Sequence, residues 1–441
     1  MCISSVPIRH GGPMLKRLFT LLPAVCLLIS LGGCAGAPPV HTADMPLESQ
    51  TAPPAPVPTP TPTPAPDPEP PAPTVATLAV CGDVMSHMPV TNDAWDAERG
   101  VYDYTPIMAE AEPYVSAADY AVANLETTLA GGPGYSGYPR FHSPDALAYD
   151  LKSLGFDLLL TANNHCMDTG FQGLSRTLDV LDEAGLAHVG TSRTLEEAQS
   201  DITVADVGGI SVAFLGYTYG TNGIPLSGDA PFCVNLFNTD YMTSLSTPDT
   251  DRLLGDMAAA RALETDLIAV MIHWGVEYRV EQNEYQERLA DLLIENGADL
   301  VLGGHPHVLQ PMEQRTVTGA DGRGHTGFVC YSLGNFISSQ NYALTDTTVV
   351  LTLELTRDNV TGEAAVTDWT YVPLLMLDRG GGSGRFGLID AHAALSGAQP
   401  PEPGLEARLT RAIEDCHRIL GPEHDPRAEG SRREPSDEPA A

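Results

Sequence analysis

The chain has 441 residues, with 23 basic and 57 acidic side chains and a formal net charge of −34 at pH 7. Its length allows one large domain or two to three domains of about 150 residues each. General binding to nucleic acids needs an excess of Lys and Arg, so a chain this acidic is expected to have no nucleic-acid partner. Residues 75–398 alone carry a charge of −29, so the acidity belongs to the body of the chain.

Residues 1–33 are predicted to be a lipoprotein signal peptide whose true start is Met14. A basic start precedes the apolar run Leu18–Leu31, which at 14 residues is shorter than the roughly 20 that a membrane-spanning helix needs. Leu31-Gly32-Gly33-Cys34 resembles a lipobox. We therefore expect Cys34 to be diacylated and to anchor the protein to the cell membrane on its extracytoplasmic side. An ordinary signal peptide, or a buried helix with an incidental cysteine, is the alternative.

Residues 34–74 are predicted to be a proline- and threonine-rich linker. Between Pro38 and Pro73 lie 15 of the 37 prolines. Such a segment is extended, at about 3.1 Å per residue, and would hold the following domain away from the lipid. Residues 75–398 are the predicted domain, 399–420 a C-terminal helix and 421–441 a disordered polar tail.

Short apolar, β-branched runs alternate with helical patterns along the body, which predicts an α/β fold with strands buried in sheets. The predicted strands are 77–80, 120–123, 157–160, 212–215, 267–272, 299–302 and 328–331. The predicted helices are 108–118, 173–184, 250–264, 285–296 and 405–420. Two later runs, 348–355 and 368–374, have no helix between them and are predicted to be antiparallel additions.

Five cysteines follow the leader and the linker: Cys81, Cys166, Cys233, Cys330 and Cys416. Five is an odd number, so at least one is free unless an intermolecular bond forms. Cys81 and Cys330 lie in strand-like runs and are interpreted as small buried hydrophobic residues. Cys166 has no neighbour in the sequence that would mark it as a nucleophile.

Nearly every predicted strand is followed by residue types that bind metals. The motifs are Cys81-Gly82-Asp83, Asn124-Leu125-Glu126, Asn163-Asn164-His165, His273-Trp274-Gly275 and Gly304-His305-Pro306-His307. Because the carboxyl ends of strands in open α/β sheets meet at one edge, we expect these side chains to converge there. Each one alone has a simpler explanation, such as a helix cap or a core histidine. Five together favour a shared site.

The ligand types predict one or two divalent ions. Oxygen and imidazole ligands without a cysteine cluster suit Mn, Fe, Zn or Mg. There are enough ligands for a carboxylate-bridged pair of ions that activates a water for hydrolysis. His305 and His307 are two residues apart, so in an extended segment they point to the same side.

Six motifs resemble, in order, those of the CapA family, the poly-γ-glutamate capsule synthesis proteins, over residues 75–375. They are Gly82-Asp83-Val84-Met85, Asn124-Leu125-Glu126, Ala162-Asn163-Asn164-His165, His273-Trp274-Gly275, Gly304-His305-Pro306-His307-Val308 and Ser332-Leu333-Gly334-Asn335-Phe336. That family looks like a branch of the calcineurin-like metallophosphatases. The resemblance implies a layered β-sandwich flanked by helices, with a metal site at the carboxyl ends of strands.

The resemblance also implies roles for individual residues. The implied metal ligands are Asp83, Glu126, Asn164, His273, His305 and His307, and Glu126 stands where a bridging aspartate is usual. His165 is implied to lie beside the substrate and to protonate the leaving group. Met85 stands where a typical metallophosphatase has a histidine, which would weaken or rebuild one of two metal sites. His87 is either a substitute ligand or a surface-loop histidine.

Further candidates surround these ligands. Glu277 and Tyr278 are expected to give acid/base help or substrate contacts, although Glu277 could equally orient an imidazole. Asp168 is predicted either to cap the helix that starts near Gly170 or to fix His165. The candidate substrate residues are Arg140, His142, Tyr278 and Asn335. The loop with Arg140 and His142 either covers the site or is a plain surface loop, and Asn335 is expected to brace the site through a turn.

Two functional hypotheses follow. The first is a metal-dependent hydrolase of the CapA type, phosphoesterase- or amidase-like, acting on a cell-surface polymer or its precursor within capsule synthesis. The second is a non-catalytic factor that assembles, exports or anchors capsule polymer, poly-γ-glutamate being the polymer that the resemblance implies. The acidic body favours the first, because contact with a polyanion must pass through bound cations or a few arginines such as Arg140.

Overall fold

Two β-sheets packed face to face form the centre of the protein in the computed structural model. The structure describes residues 70–319, 322–382, 384–397, 401 and 404–429. In chain order the strands are β1 (Thr74–Val84), β2 (Trp95–Asp96), β3 (Val101–Tyr102), β4 (Tyr120–Leu125), β5 (Leu158–Leu160), β6 (Ala187–Val189), β7 (Thr203–Val207), β8 (Ile210–Thr218), β9 (Leu267–His273), β10 (Leu300–Gly304), β11 (Leu309–Thr318), β12 (Gly324–Leu333), β13 (Asn335–Ile337), β14 (Thr347–Arg357), β15 (Ala364–Asp378) and β16 (Phe386–Asp390).

The helices lie mainly between the strands. They are α1 (Met88–Asp93), α2 (Thr105–Met108), α3 (Glu112–Val115), α4 (Ala146–Leu154), α5 (Gly170–Ala184), α6 (Leu195–Gln199), α7 (Thr250–Arg261), α8 (Glu284–Glu295), α9 (Ala391–Ser396) and α10 (Leu405–Leu420), followed by a 3₁₀ turn at Pro422–His424. The strand and helix pattern confirms the predicted α/β class.

The first sheet has the order β16-β15-β14-β1-β4-β5-β6, with β13 also paired to β1. Strands β1, β4, β5 and β6 are parallel, whereas β14, β15 and β16 are added antiparallel. The two late runs were predicted to be antiparallel additions, and that prediction is confirmed. The second sheet has the order β11-β12-β10-β9-β8-β7, with four parallel strands in its centre.

The layers follow from the alternation of side chains along each strand. In β1, Leu78 and Val80 belong to the core between the two sheets, whereas Ala79 and Cys81 belong to the core beneath α4 and α5. A third core lies between the second sheet and α7 and α8. The result is the helix-flanked, two-sheet sandwich that the resemblance to the CapA family implies.

The helix predicted at 108–118 is wrong. Helix α2 ends at Met108, where that stretch begins, and the four-residue α3 follows at Glu112–Val115 with a proline within its first two positions. Pro113 has no backbone N–H and clashes with the preceding turn, so a continuous helix through it is disfavoured.

The prediction of a disordered tail is wrong for residues 421–429. These residues form the 3₁₀ turn and its continuation, and Asp425 is fully buried. The His424 ring stacks on Trp369, with ring centroids 4.3 Å apart. Composition could not foresee these contacts, because they come from distant parts of the chain.

Residues 1–69, with the predicted signal peptide, Cys34 and most of the linker, lie outside the described residues. Among the residues that are described, no helix has the length and apolar character to span a membrane. The five described cysteines are all buried and free. Burial raises the pKa of the Cys81 and Cys330 thiols, so both behave as small hydrophobic side chains.

Candidate metal centre and cleft

The candidate site lies where the two sheets meet at the carboxyl ends of their parallel strands. Asp83 lies near the end of β1, Glu126 directly follows β4, and Asn163-Asn164-His165 follows β5 in the first sheet. His273 ends β9, while His305 and His307 follow β10 in the second sheet. All of these side chains are buried. The two sheets therefore contribute ligands to one place.

A chain of hydrogen bonds joins the two sheets. Asn124 Nδ2 donates to Asp83 Oδ1 at 2.8 Å and lies 3.2 Å from His273 Nδ1. On the other side of the ring, His273 Nε2 is 2.9 Å from Asn164 Oδ1. A neutral imidazole with its proton on Nε2 satisfies both contacts. Asn124 thus orients a carboxylate from one sheet and an imidazole from the other.

The loop after β10 is held on Asp83. The His305 backbone N–H donates to Asp83 Oδ2 at 3.1 Å, and His307 Nδ1 lies 3.2 Å from the same oxygen. The two histidines have φ values of 100° and 59°, in the left-handed region that non-glycine residues rarely adopt. Pro306 between them accepts a hydrogen bond at 2.8 Å from the Tyr278 backbone N–H. Strain of this kind is concentrated at functional sites.

Glu126 is the centre of the cluster. Its side chain is fully buried, and neither carboxylate oxygen has a hydrogen-bond partner among the described residues. It belongs to two groups whose ligand atoms all lie within 4.8 Å of one another, one with His273 and His305 and one with Asp83 and His307. Buried carboxylates without partners are costly, and a divalent ion removes that cost. The residues therefore fit a metal centre in which Glu126 is shared.

The charges within the cluster shift the pKa values of its members in opposite directions. Burial alone would raise the pKa of Asp83, but the hydrogen bond and charge of His307, the His273 charge and the Asn124 hydrogen bond lower it. Burial and the neighbouring His273 and His307 charges hold the pKa of His305 well below its usual value. A neutral imidazole and an ionised carboxylate are the forms that bind metals.

His165 and Asp168 form a buried pair beside the cluster. His165 Nδ1 lies 2.7 Å from Asp168 Oδ2, which also accepts the Phe141 backbone N–H at 2.6 Å. The other ring nitrogen, His165 Nε2, lies 3.4 Å from Asn222 Nδ2. Helix α5 is capped by neither residue, because its N-cap is Thr169 without a side-chain cap bond. Of the two roles considered for Asp168, the geometry matches the fixing of His165.

Two adjoining cavities open over the cluster. One of about 530 Å³ is lined by residues that include Arg140, Asn164, His165 and Asn222. The other, of about 820 Å³, is lined by residues that include Phe237, Tyr285, Arg288 and His305. They share Tyr219, Leu245 and Glu277. The result is one elongated cleft with the metal centre at its floor, and we refer to these two cavities together as the cleft.

Two further predicted residues, Glu277 and Tyr278, lie next to the cluster on its solvent side. Glu277 is exposed on the cleft wall and forms a third group with His305 and His307. Tyr278 lies beside them, its ring centroid 6.1 Å from that of His307. Burial, followed by the Glu277 charge, raises the pKa of Tyr278. Both residues are thus at the mouth of the site.

Three predicted residues lie apart from the cleft. His87 belongs to none of the ligand groups of the described residues, and its Nδ1 is 3.4 Å from Ser338 Oγ. His142 and Asn335 are buried and are absent from the described cleft lining. Asn335 Nδ2 donates to Gln340 Oε1 at 3.0 Å and to the Thr345 carbonyl at 3.1 Å, and its bracing of the site stays a prediction.

Tyr219 was missed by the sequence reasoning. It follows β8, which adjoins β9 in the second sheet, and its ring lies 4.6 Å from that of His305. Burial and the charges of Glu126 and Glu277 raise the pKa of its hydroxyl. The position directly after a central parallel strand was the available signal, but tyrosine there also fits a core residue. Asn222 was missed because it lies in a loop with no motif.

The fold and the cluster define a class: an α/β sandwich with a candidate metal centre, built around a shared carboxylate, at the carboxyl ends of its strands. The chain belongs to the bacterial capsule synthesis family PGA_cap, whose family profile matches residues 77–340. This confirms the resemblance stated from the six motifs.

Two curated relatives carry the CapA name. The chain is 30% identical over 264 residues to "PGA biosynthesis protein CapA" of Bacillus subtilis, covering 59% of this chain and 64% of that protein. It is 29% identical over 293 residues to "Capsule biosynthesis protein CapA" of Bacillus anthracis, covering 65% of each. The chain thus spans slightly less than two thirds of the length of these relatives.

Solved structures give a weaker likeness. A phosphatase from Mycoplasma pneumoniae has a TM-score of 0.38 at 14% identity, covering 69% of this chain and 95% of that chain. The calcineurin-like phosphoesterase YfkN from Bacillus subtilis has a TM-score of 0.36 at 11% identity, covering 79% and 98%. With TM-scores below 0.5, the class rests on the chain's own sheets and ligands.

Proposed function

We propose that this member of the capsule synthesis family is a metal-dependent hydrolase. Its substrate would contain a phosphoester or amide-type bond in a cell-surface polymer or a precursor of one. The observation that carries the proposal is Glu126, a fully buried carboxylate without a hydrogen-bond partner among the described residues and shared by two ligand groups. A structural scaffold has no need of such a costly group.

The ion-binding residues would be Asp83, Glu126, Asn164, His273, His305 and His307. A divalent ion bound there would supply a Lewis acid and a source of hydroxide near neutral pH. Asp83 keeps its charge because its neighbours lower its pKa, and His305 stays neutral because its pKa is lowered. Asp83 and His305 thus have the protonation states that binding requires before any ion arrives, whereas His307, whose pKa is raised to about 9, must lose its proton when an ion binds.

His165 is the group that would protonate the leaving atom. Its Nδ1 is occupied by Asp168, so Nε2 is the nitrogen that faces the cleft. The Asp168 carboxylate fixes the orientation of the ring through Nδ1, so a proton would be delivered to the leaving atom from Nε2. The same carboxylate holds the Phe141 backbone N–H. Movement of the loop that contains Phe141 would therefore also disturb the position of His165, the proposed proton donor.

Arg140 is a cation of the cleft that is available to an anionic substrate, whereas Arg288 on the same lining lies 3.6 Å from Glu284. Arg140 lies on the cleft wall next to Phe141 and forms no ion pair with the described residues. Because the body of the chain is strongly acidic, a polyanion would gain little from diffuse attraction. Contact with Arg140 and with bound ions would give the local attraction that the rest of the surface lacks.

The place of action is proposed from the N-terminal sequence. We infer that the chain is anchored outside the cytoplasm through lipid on Cys34, and that the proline-rich linker holds the hydrolase domain away from the membrane. Labelling of the wild-type chain with a fatty-acid probe, and loss of the label in Cys34→Ala, would support this. Labelling of both chains, or of neither, would contradict it.

The activity is tested with His165→Asn. The purified, metal-loaded chain should hydrolyse a chromogenic phosphomonoester or phosphodiester, and the variant should lose about 10²-fold or more in kcat. Its metal content should match the wild type, since His165 is not in any of the ligand groups. His188→Gln is a matched control, because His188 Nε2 pairs with Asp182 at 3.3 Å away from the cleft lining.

Two outcomes would contradict the hydrolase proposal. One is a folded wild-type chain that binds no divalent ion. The other is a metal-loaded chain that cleaves neither phosphoesters nor an amide-linked glutamate polymer. In the second case, unchanged capsule amount and chain length in cells carrying His305→Ala would favour the assembly or anchoring role.

A further inference from the structure

A second group of metal-ligand residues lies beyond the part of the chain that the family profile matches. His392 is in α9, His417 is in the last turn of α10, and Asp425 follows the 3₁₀ turn. None of the three belongs to the ligand groups of the cleft or to its described lining. The three residues come from three separate elements, and both histidines contact one carboxylate oxygen of Asp425.

The geometry is that of a contracted metal site. His392 Nε2 lies 2.6 Å and His417 Nε2 lies 2.8 Å from the same atom, Asp425 Oδ2. All three ligand atoms lie within 4.8 Å of one another. Around a tetrahedral zinc with bonds of about 2.0–2.1 Å, neighbouring ligand atoms are ~3.3 Å apart. The two nitrogens would therefore have to move about 0.5–0.7 Å away from the carboxylate oxygen to admit the ion.

The surroundings orient the carboxylate toward the two imidazoles. Its other oxygen, Asp425 Oδ1, accepts the Arg427 backbone N–H at 3.0 Å. The Arg427 guanidinium is bound to Asp390 at 2.9 Å, so its charge is balanced by a different carboxylate. Asp425 is thus held with one oxygen free for the two nitrogens.

Charge and exposure also suit a cation. His417 lies in the last turn of α10, where the negative end of the helix dipole favours positive charge. The Asp425 side chain is fully buried, whereas those of His392 and His417 are 19% and 26% exposed. Solvent therefore reaches both imidazole side chains, and a water would complete a four-coordinate site.

We propose that His392, His417 and Asp425 form a structural zinc site that fastens the C-terminal helix and the turn after it to the sandwich. Imidazole with a single carboxylate suits zinc better than the harder magnesium or calcium ions. The zinc would take the place of the two N–H protons that now lie between the imidazole nitrogens and Asp425 Oδ2, and both nitrogens and the oxygen would bind the ion.

The location explains what the site would hold in place. In α10, Leu409 and Ala412 pack with Leu375 of β15 and Ile389 of β16, while Cys416 and Leu420 reach the core between the sheets. The zinc would tie this helix to α9, which follows the edge strand β16 directly. It would therefore protect the open edge of the first sheet.

The test compares metal content between single variants of the full chain. Each purified chain is stripped with a chelator, reloaded with excess zinc, desalted and analysed for bound metal. Wild type and His424→Gln should each retain one zinc per chain more than His417→Ala. His424 is the matched control, because it is a buried histidine next to Asp425 that belongs to none of the ligand groups. Any zinc in the cleft is common to all three and cancels.

Cobalt gives an independent readout. The difference spectrum between cobalt-loaded wild type and His417→Ala should show the visible absorption of a four-coordinate site. If His417→Ala does not fold by circular dichroism, the near-isosteric Asp425→Asn takes its place in both measurements. Equal zinc content in folded wild type and variant would overturn the proposal and leave the three residues as a hydrogen-bond cluster.

Discussion

Glu126→Gln tests whether the buried carboxylate destabilises the metal-free chain and stabilises the metal-bound chain. The substitution keeps the shape of the side chain and removes the buried charge. Glu126 has two buried oxygens without a hydrogen-bond partner among the described residues, and His273 Nε2 lies 3.5 Å from one of them. We expect the variant to be more stable than the wild type without metal and less stable with it.

The size of the effect follows from the surroundings. A buried polar group without a partner costs about 1–3 kcal/mol, and more when charged. Burial lowers the pKa of His307, but the Glu126 charge and the Asp83 hydrogen bond raise it to about 9. At neutral pH this imidazolium offsets part of the penalty. The metal-free variant should therefore gain about 1–2 kcal/mol in free energy of unfolding.

Metal reverses the order. An ion at 100 times its dissociation constant stabilises the native state by about 2.7 kcal/mol. The wild type gains this amount, whereas the variant lacks the shared ligand and gains much less. Urea unfolding of both chains, in chelator and in excess Mn²⁺, measures the four free energies.

The control is Glu277→Gln, which neutralises an exposed carboxylate of the same cleft. It should change the free energy of unfolding in chelator by no more than about 0.5 kcal/mol. A metal-free Glu126→Gln chain that is less stable than the wild type would refute the reasoning. So would an equal metal-induced gain in both chains.

Two further predictions concern stability away from the ligands. In Gly303→Ala the new Cβ would lie 2.1 Å from the Tyr331 carbonyl oxygen, so we expect a loss of about 1–3 kcal/mol or more in urea unfolding, whereas Gly228→Ala, with open space around it, should change little. Burial raises the pKa of Asp201 to about 7 despite hydrogen bonds from Gly190 and Asn235. The native state then binds more protons than the unfolded state between pH 4 and 7, so the wild type should lose up to about 4 kcal/mol relative to Asp201→Asn as the pH rises from 4 to 8. A difference that does not vary with pH would contradict this.

The strand ends were readable from the sequence for a physical reason. Buried parallel strands appear as continuous apolar runs, and a run that stops at Asp83 or His273 marks the sheet edge where ligands collect. The division into two sheets was not readable in this way. A strand buried on both faces has the same composition whether its neighbours belong to one sheet or to the other.

Contacts between distant segments of the chain were the main feature that the sequence could not predict. Tyr219 is a typical core residue by type, and only the packing of β8 beside β9 brings its ring to His305. His392 and His417 are 25 positions apart, and their partner Asp425 lies in a segment whose composition suggests disorder. Sequence spacing cannot connect such residues, because loop lengths do not fix where their ends meet.

The order of the strands determines how late in synthesis the first sheet can be completed. Strand β1 has β4 on one side, but on the other side it pairs with β13 and β14, which follow the whole second sheet in the chain. The central strand of the first sheet therefore keeps one open edge until residues 335–357 have been synthesised. Pairings over such long separations form slowly. For the proposed anchoring outside the cytoplasm, this delay would keep the chain unfolded while it passes through a translocation channel.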